Sequence, residues 1–379
     1  MKVHVTIALI GLLFWQSISA QKNPYLIIGT YTTGKSEGIY VYDFNTSTGS
    51  CSYANKAKAS SPSFLTVSKN QNFVYAVQQP ADSTRLFING TVAAYAFNKT
   101  NGALQLLNTQ STNGTGPCHI SIDQTGKWLA AANYASGNFS VLPIKPDGTI
   151  DAATQTIQHE GKGPNEKRQA GPHAHACFFT PNNSALAVTD LGIDKTIMYN
   201  FDAASGMVEA IAQPYIDALP GSGPRHLDFH PSQKKKIIYV LEELTNTISV
   251  VKQNNGTFNS IQTISSVPAD YTGGAGAADV HVSADGKFVY VSNRGSSNTI
   301  GIFSVDNNSG KLTLVGHQST LGKTPRNFTL DPTGNFLLVA NQDSNNIVVF
   351  SRDAKTGLLK ETGYQIIVPN PVCLKWITP

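Results

Sequence analysis

Cysteine is scarce in this 379-residue chain: Cys51, Cys118, Cys177 and Cys373 lie far apart, and no Cys-x-x-Cys pair occurs. That excludes a zinc ribbon and a disulfide-rich scaffold. Cys118, Cys177 and Cys373 fall in runs read as inner strands, where cysteine serves as a small buried hydrophobe; a single bridge stays open. Charged residues are also sparse, at 14%, and the formal net charge is +4 with no long basic tract. The Lys234-Lys235-Lys236 run falls in a strand-to-strand turn and reads as a solvated turn, so no nucleic-acid partner is expected. After the N-terminus no run is apolar and long enough to span a bilayer, and no helical periodicity of useful length occurs. No serine is marked on the sharp strand-to-helix turn of a nucleophile elbow either, which disfavours a covalent acyl-enzyme. No acidic ligand set for calcium is marked, and neither a metal nor another cofactor is expected.

What is present is the material of many short strands. Hydrophobic residues make up 40% of the chain, enough for a sizeable core, and 32 glycines and 19 prolines punctuate it. Ser, Thr and Asn crowd the spaces between short apolar runs, as strands joined by turns require. Residues 1–20 have a basic start, an apolar centre from Val5 to Trp15 and small residues at Ser19-Ala20. They read as a signal peptide cleaved before Gln21, with an uncleaved anchor as the alternative. Residues 21–379 then form one domain, exported to the periplasm or the extracellular space.

A repeat organises that domain. Units start at Ser61, Gly116, Gly171, Gly223, Gly276 and Thr324, and a closing fragment starts at Asn370; the starts lie 46 to 55 residues apart. A period near fifty with four short strands per unit is the signature of a β-propeller. Each unit opens on an inner strand and turns through a segment such as DQTGK, SADGK or DPTGN, which suits a tight hairpin. A nearly all-apolar second strand follows (WLAAANY, FVYVSN, FLLVAN), then a third strand rich in Ile and Val and a variable outer strand. The chain begins with a second-type strand, YLIIGTY, and ends with an inner-type strand, PVCLKWI. The predicted fold is therefore all-β: a seven-bladed propeller of four-stranded antiparallel blades, closed by the C-terminal strand joining the N-terminal blade.

Antiparallel pairing brings the start of each inner strand beside the end of the second strand. In the fourth unit this arithmetic sets Arg225 opposite Glu242. Residues predicted to line the channel mouth are His119, Asn133, His173, His175, Arg225, His226, Glu242, Arg294, Arg326, Asn341 and Gln342. Polar groups at the ends of apolar strands fit a ligand pocket. A bland reading stands beside each. Arg225 and Glu242 can be a structural ion pair bracing a blade. His173 and His175 share a strand face, and a metal pair is the alternative to core or substrate-contacting histidines. Arg294 and Arg326 can simply close hydrogen bonds at the mouth. Glu243 points to the opposite strand face from Glu242 and reads as a structural neighbour.

The runs GPRHLDFHP and YVLEELTNTISV, with GPHAHA before them and DVHVSADGKFVYVSNRGSSNTIGIFSV after them, resemble the seven-bladed lactonase family. That family includes the propeller-type 6-phosphogluconolactonases, and a fungal carboxymuconate lactonizing enzyme is related to it. The resemblance covers essentially all of the chain after residue 20. It implies a metal-independent site at the channel mouth, built in the related fungal enzyme from a histidine, two arginines and a glutamate. Matched motif by motif, these are His175 (or His173), Arg225, Arg294 and Glu242. One feature departs from the family's familiar cytosolic, phosphorylated substrate: this chain carries an export signal, so an unphosphorylated sugar-acid lactone is a second candidate.

Opening a lactone takes an activated water and a stabilised oxyanion. On this reading Glu242 is the general base, Arg225 and Arg294 polarise the carbonyl or hold an anionic group, and the GPHAHA histidine protonates the leaving alkoxide. His173, His226, His119, Asn133, Arg326, Asn341 and Gln342 contact the substrate. The expected enzyme is a 6-phosphogluconolactonase-like carboxylic ester hydrolase acting as a monomer on a small lactone or sugar acid. The competing readings are a non-catalytic propeller that binds a protein or glycan, and a muconate-type cycloisomerase.

Overall fold

A computed structural model describes residues 23–79, 89–254 and 256–378, with the side chains of residues 212–214 left aside. The proposed signal peptide, residues 1–20, lies outside the described residues. Seven four-stranded antiparallel sheets form the domain. We number the blades in chain order: 65–115, 117–158, 174–217, 224–265, 277–319 and 325–367 make blades 1 to 6. Blade 7 joins the C-terminal strand Pro371–Ile377 to the N-terminal strand Tyr25–Thr30, with Leu26 opposite Trp376 and Ile28 opposite Leu374. The predicted closure and blade count are both present.

Second strands are buried from end to end because a neighbouring blade covers each of their faces. Ile237–Glu242, Phe288–Asn293 and Phe336–Asn341 are buried at all six positions. Outer strands alternate, as Thr257–Ser265 does, because one face meets water. The core accordingly lies between blades. One cluster packs Ala130, Ala132 and Val141 of blade 2 against Cys177, Leu186 and Val188 of blade 3. At the inner hairpin of blade 2, the Asp123 carboxylate accepts from the backbone N–H groups of Thr125, Lys127 and Trp128, which closes the turn, and Asn183 of blade 3 adds a bond to the same carboxylate.

Six of the seven inner strands carry a register shift at the same place. In blade 4, Pro224 pairs with Glu242 and His226 with Leu241, so Arg225 is an extra residue without a partner across the ladder. Cys118, His175, Ala278, Arg326 and Val372 are the corresponding extra residues. Such a bulge breaks the pleat and re-aims one side chain, here at the strand start facing the channel mouth.

Candidate active site at the channel mouth

The bulge separates two positions that differ by a single residue. The last residue of the second strand is Asn133, Asp190, Glu242, Asn293 or Asn341 in blades 2 to 6. Each of these side chains turns sideways into its own blade and the connection entering it. Asn133 Nδ2 donates to Thr112 O at 3.0 Å and to Asn138 Oδ1 at 2.8 Å. Asn293 Nδ2 donates to Ser266 O at 2.7 Å, and Asn341 Nδ2 to Thr320 O at 3.0 Å. Asp190 takes His159 Nδ1 at 2.7 Å. Glu242 does the same job with hydroxyls: Ser249 Oγ donates to Oε1 at 2.6 Å and Thr247 Oγ1 to Oε2 at 2.8 Å. These residues are latches that fasten blades.

The expected Arg225–Glu242 pair is therefore not formed, and Asn133 and Asn341 do not line the mouth. The pairing arithmetic missed the extra residue at Arg225, which shifts the partner by one. Glu242 is fully buried; burial raises its carboxyl pKa, and the bonds from Ser249 and Thr247 only partly oppose that.

The next residue along faces the axis instead, and in blade 4 it is Glu243. Three arginines converge on its carboxylate. Arg225 Nη1 lies 2.6 Å from Oε2, Arg294 Nη2 3.1 Å from Oε2, and Arg168 Nη2 2.8 Å from Oε1. Burial pushes the Glu243 carboxyl up, but Arg225, Arg294 and Arg168 outweigh it and hold the pKa below the ordinary carboxylate range. Arg294 follows the second strand of blade 5, one residue past the latch Asn293, and its Nε donates to Gly276 O at 2.9 Å. Arg168 comes from the long connection between blades 2 and 3, outside the repeat. A turn closed by Asn165 and Gln169 holds it, and Gln169 is pinned by Leu191 O and Asp194.

His175 occupies the bulge of blade 3, as Arg225 does in blade 4. Its Nε2 accepts from Arg225 Nη1 at 2.5 Å, while Arg225 Nε donates to Ala278 O at 2.7 Å. Burial and then Arg225 drive the His175 pKa well down, so the imidazole is neutral and serves Arg225 as an acceptor. A neutral ring with Nε2 engaged is poorly placed to donate a proton. His173 sits higher: its ring stacks on Tyr134 at 4.4 Å, and Nδ1 donates to Tyr134 O at 2.9 Å. The Tyr134 hydroxyl accepts from Arg168 at 3.3 Å. Arg326, the bulge residue of blade 6, covers the Tyr31 ring at 5.3 Å. Gln342 holds the position equivalent to Glu243 and keeps a buried Oε1 without a hydrogen bond among the described residues.

His226 and His119 lie in the layer below, one residue deeper along their inner strands, rather than at the mouth. The His226 Nδ1 donates to Asp279 Oδ1 at 2.8 Å, and Asp279 also takes His281 and Asn327. Burial lowers the His226 pKa to about 4 despite the Asp279 carboxylate. His119 packs between Phe64 and Phe178 and accepts from the Cys177 N–H at 3.3 Å. Cys118, beside His175, is pushed up to about 12 by burial and offers no thiolate near neutral pH.

Of the predicted set, the structure thus gathers Arg225, Arg294, His175, His173, Arg326 and Gln342 at one rim, and turns Glu242, Asn133 and Asn341 into their blades as latches. Glu243, Arg168, Tyr134 and Tyr31 were missed. Glu243 and Tyr134 carry a readable signal, because residues one past a repeated Asn, Asp or Glu vary from blade to blade while the latch does not. Arg168 carries none, since it stands outside the repeat. Among the described residues no three His, Cys, Asp or Glu side chains are gathered so as to hold a metal ion, and no helix is long and apolar enough to cross a membrane.

Known proteins are similar to this chain over more than nine-tenths of its length. Residues 25–376 match the family described as "Lactonase, 7-bladed beta-propeller". A 6-phosphogluconolactonase of Bacillus subtilis (strain 168) is 39% identical over 353 residues, which cover 92% of this chain and 97% of that protein. A 6-phosphogluconolactonase of Formosa agariphila is 36% identical over 93% of this chain and 99% of its own length. Among solved structures, a periplasmic gluconolactonase of Pseudomonas aeruginosa superimposes with a TM-score of 0.88 at 34% identity, covering 94% of this chain and 99% of that one. With its seven closed blades and a match from one end of the ring to the other, the chain belongs to the seven-bladed β-propeller lactonase family.

Proposed function

We propose that the channel mouth hydrolyses a sugar-acid lactone to the open acid, as a 6-phosphogluconolactonase-like carboxylic ester hydrolase, with Glu243 as the general base. The observation that carries this reading is the convergence of Arg168, Arg225 and Arg294 on one buried carboxylate in a chain of this family. With Arg326 on the same rim, four cations face one anion, an excess of three positive charges. Such a mouth attracts an anionic lactone and disfavours a cationic or purely apolar ligand.

Glu243 is ionised at neutral pH, as a base must be, but its basicity is damped by three guanidinium groups. Arg225 is fixed by His175 and Ala278, whereas the Arg168 side chain is 42% exposed and free to move toward solvent. An anionic group on the substrate competes for Arg168, releases Oε1 and makes the carboxylate more basic where it meets water. Water then attacks the lactone carbonyl carbon while Glu243 takes its proton. Arg225 and Arg294 stabilise the oxyanion that forms. On collapse the bond from the carbonyl carbon to the ring oxygen breaks, and that oxygen takes the proton back from Glu243. His175 acts as a positioning residue that holds Arg225, and the reaction runs without a metal.

We also propose that the protein is exported after cleavage near Ala20, which makes a lactone available outside the cytoplasm its substrate. The support is the composition of residues 1–20 and the periplasmic location stated for the Pseudomonas aeruginosa relative. The deciding assay follows acid release from 6-phosphogluconolactone and from gluconolactone, with and without a chelator. Saturable hydrolysis that survives chelation is expected. Binding without turnover on both lactones overturns the reading.

A further inference from the structure

The face opposite the mouth repeats one packing motif around the ring, with one omission. There the second strand of each blade begins, and the hairpin joining the third and outer strands of the following blade comes down upon it. Six second strands begin with a large side chain: Tyr25, Phe73, Trp128, Ile237, Phe288 or Phe336. Each packs against the hairpin glycine of the next blade: Gly102, Gly148, Gly206, Gly310, Gly357 and Gly49 respectively. The approach is so close that a Cβ on any of these glycines would press on the ring or branched chain, so the pair seals the junction between blades.

The junction between blades 3 and 4 lacks both halves of the seal. Its second strand begins with Ala185, and a Cβ placed on Gly256 would meet nothing within 4 Å among the described residues. The hairpin also differs. In five sealed junctions the glycine N–H bonds back four residues, as Gly206 does to Asp202 O, whereas in blade 4 the ladder runs on until Asn254 pairs with Thr257. Where the plug is missing there is a cleft of about 740 Å3, a volume within the ordinary range for small-molecule sites. Met198, Ile211, Phe229, Ile238 and Phe258 line it, and Lys236 stands at its edge. The lining holds no carboxylate, and Lys236 ends the Lys234–Lys236 run that the sequence marks as a turn.

We propose that this cleft is a second binding site, separate from the channel mouth, for a small aromatic carboxylate. Five of the six sealed junctions show what the cleft accommodates: a flat ring of Phe, Tyr or Trp size lying over the start of the second strand. A ligand ring takes the place of the absent side chain, with Met198 and Phe258 as apolar walls. Its carboxylate faces Lys236, the cation that no acidic neighbour in the lining neutralises. The site lies at the opposite end of the second strands from Asp190 and Glu242, about 17 Å away at the usual rise per residue.

Indole-3-carboxylate is a suitable probe, titrated by calorimetry or ligand-observed NMR in the presence of excess 6-phosphogluconate, which occupies the arginine-rich mouth. Saturable binding of one equivalent is expected. Neutral indole, or the Lys236→Glu variant, should bind about fivefold more weakly, the scale of an exposed charge pair. Ala185→Trp supplies the missing plug, so it should abolish probe binding, raise the thermal midpoint and leave lactone hydrolysis unchanged. Should that variant not fold, Ala185→Phe makes the same test with a smaller ring. Absence of saturable binding by the wild type overturns the proposal, as does undiminished binding in the folded plugged variant. Binding that 6-phosphogluconate competes away also overturns it, by assigning the probe to the mouth.

Discussion

Glu242 and Glu243 are one peptide bond apart, both buried, and chemically opposite. Glu242 sits among hydroxyls, from Ser249 and Thr247, and burial lifts its pKa. Glu243 sits among guanidinium groups, and their field overrides the rise that burial alone would cause. Burial by itself does not decide whether a carboxylate is charged; the groups that replace water do. The same contrast separates latch from site. Hydroxyls and amides fasten the blades at Asn133, Glu242, Asn293 and Asn341, whereas three guanidinium groups meet on one carboxylate at the mouth.

The sharpest way to break this contrast is to neutralise each carboxylate in turn. Glu243→Gln should lower kcat for lactone hydrolysis on the order of 10³-fold, because the base that takes the proton from water is gone. It also leaves three arginines without their counter-charge and should cost about 3 kcal/mol of stability, so circular dichroism must accompany the kinetics. Glu242→Gln keeps hydrogen-bonding capacity toward Ser249 and Thr247 and should leave kcat within a few-fold of wild type. Equal losses in the two variants would erase the distinction between latch and base.

Stability against pH separates them with opposite signs. Glu243 has a folded pKa below its ordinary value of 4.5, so its contribution is present above that pH and is lost as pH falls through the depressed folded value. Glu242 has a folded pKa above 4.5, so the folded state favours the protonated form. Its penalty is absent in acid and grows as pH rises from 4.5 through the raised value. Urea unfolding of both Gln variants between pH 3 and 7 checks this. Glu243→Gln should lose most relative to wild type at pH 7 and least in acid, while Glu242→Gln should gain relative to wild type as pH rises. Parallel curves would show that the two carboxylates share one environment.

The ring was legible because its evidence is periodic. Inner-strand starts recur, hairpin turns such as DQTGK and DPTGN recur, and the end strands YLIIGTY and PVCLKWI complete each other. The carboxylate that meets the arginines was misplaced by one residue for a physical reason. An antiparallel ladder counts residues in pairs, and a bulge adds one residue to a single side, which no hydrophobic pattern marks. Comparing blades recovers it: Asn133, Asp190, Glu242, Asn293 and Asn341 are all short hydrogen-bonding side chains at one position. A position that keeps the same chemistry in five blades serves the blades. The next position, with Tyr134, Leu191, Glu243, Arg294 and Gln342, differs in each, and that is where a single asymmetric ligand must be read. Arg168 escaped any such comparison, because its connection has no counterpart in the other units.

Arg168 therefore supplies the smallest and most discriminating test. Besides the Tyr134 hydroxyl it meets Oε1 of Glu243, while Arg225 and Arg294 hold Oε2. If an anionic substrate group draws Arg168 away, Arg168→Met should raise KM for 6-phosphogluconolactone about tenfold, the scale of one charge-assisted contact. For unphosphorylated gluconolactone, which lacks that group, KM should hardly move. Its kcat should instead rise a few-fold, because Glu243 has lost one of three cations and is more basic without any help from the substrate. The low-pH limb of the kcat profile should move upward for the same reason. A fall in kcat on both lactones would instead make Arg168 a direct stabiliser of the transition state, and the contrast between a damped resting base and a released working one would fail.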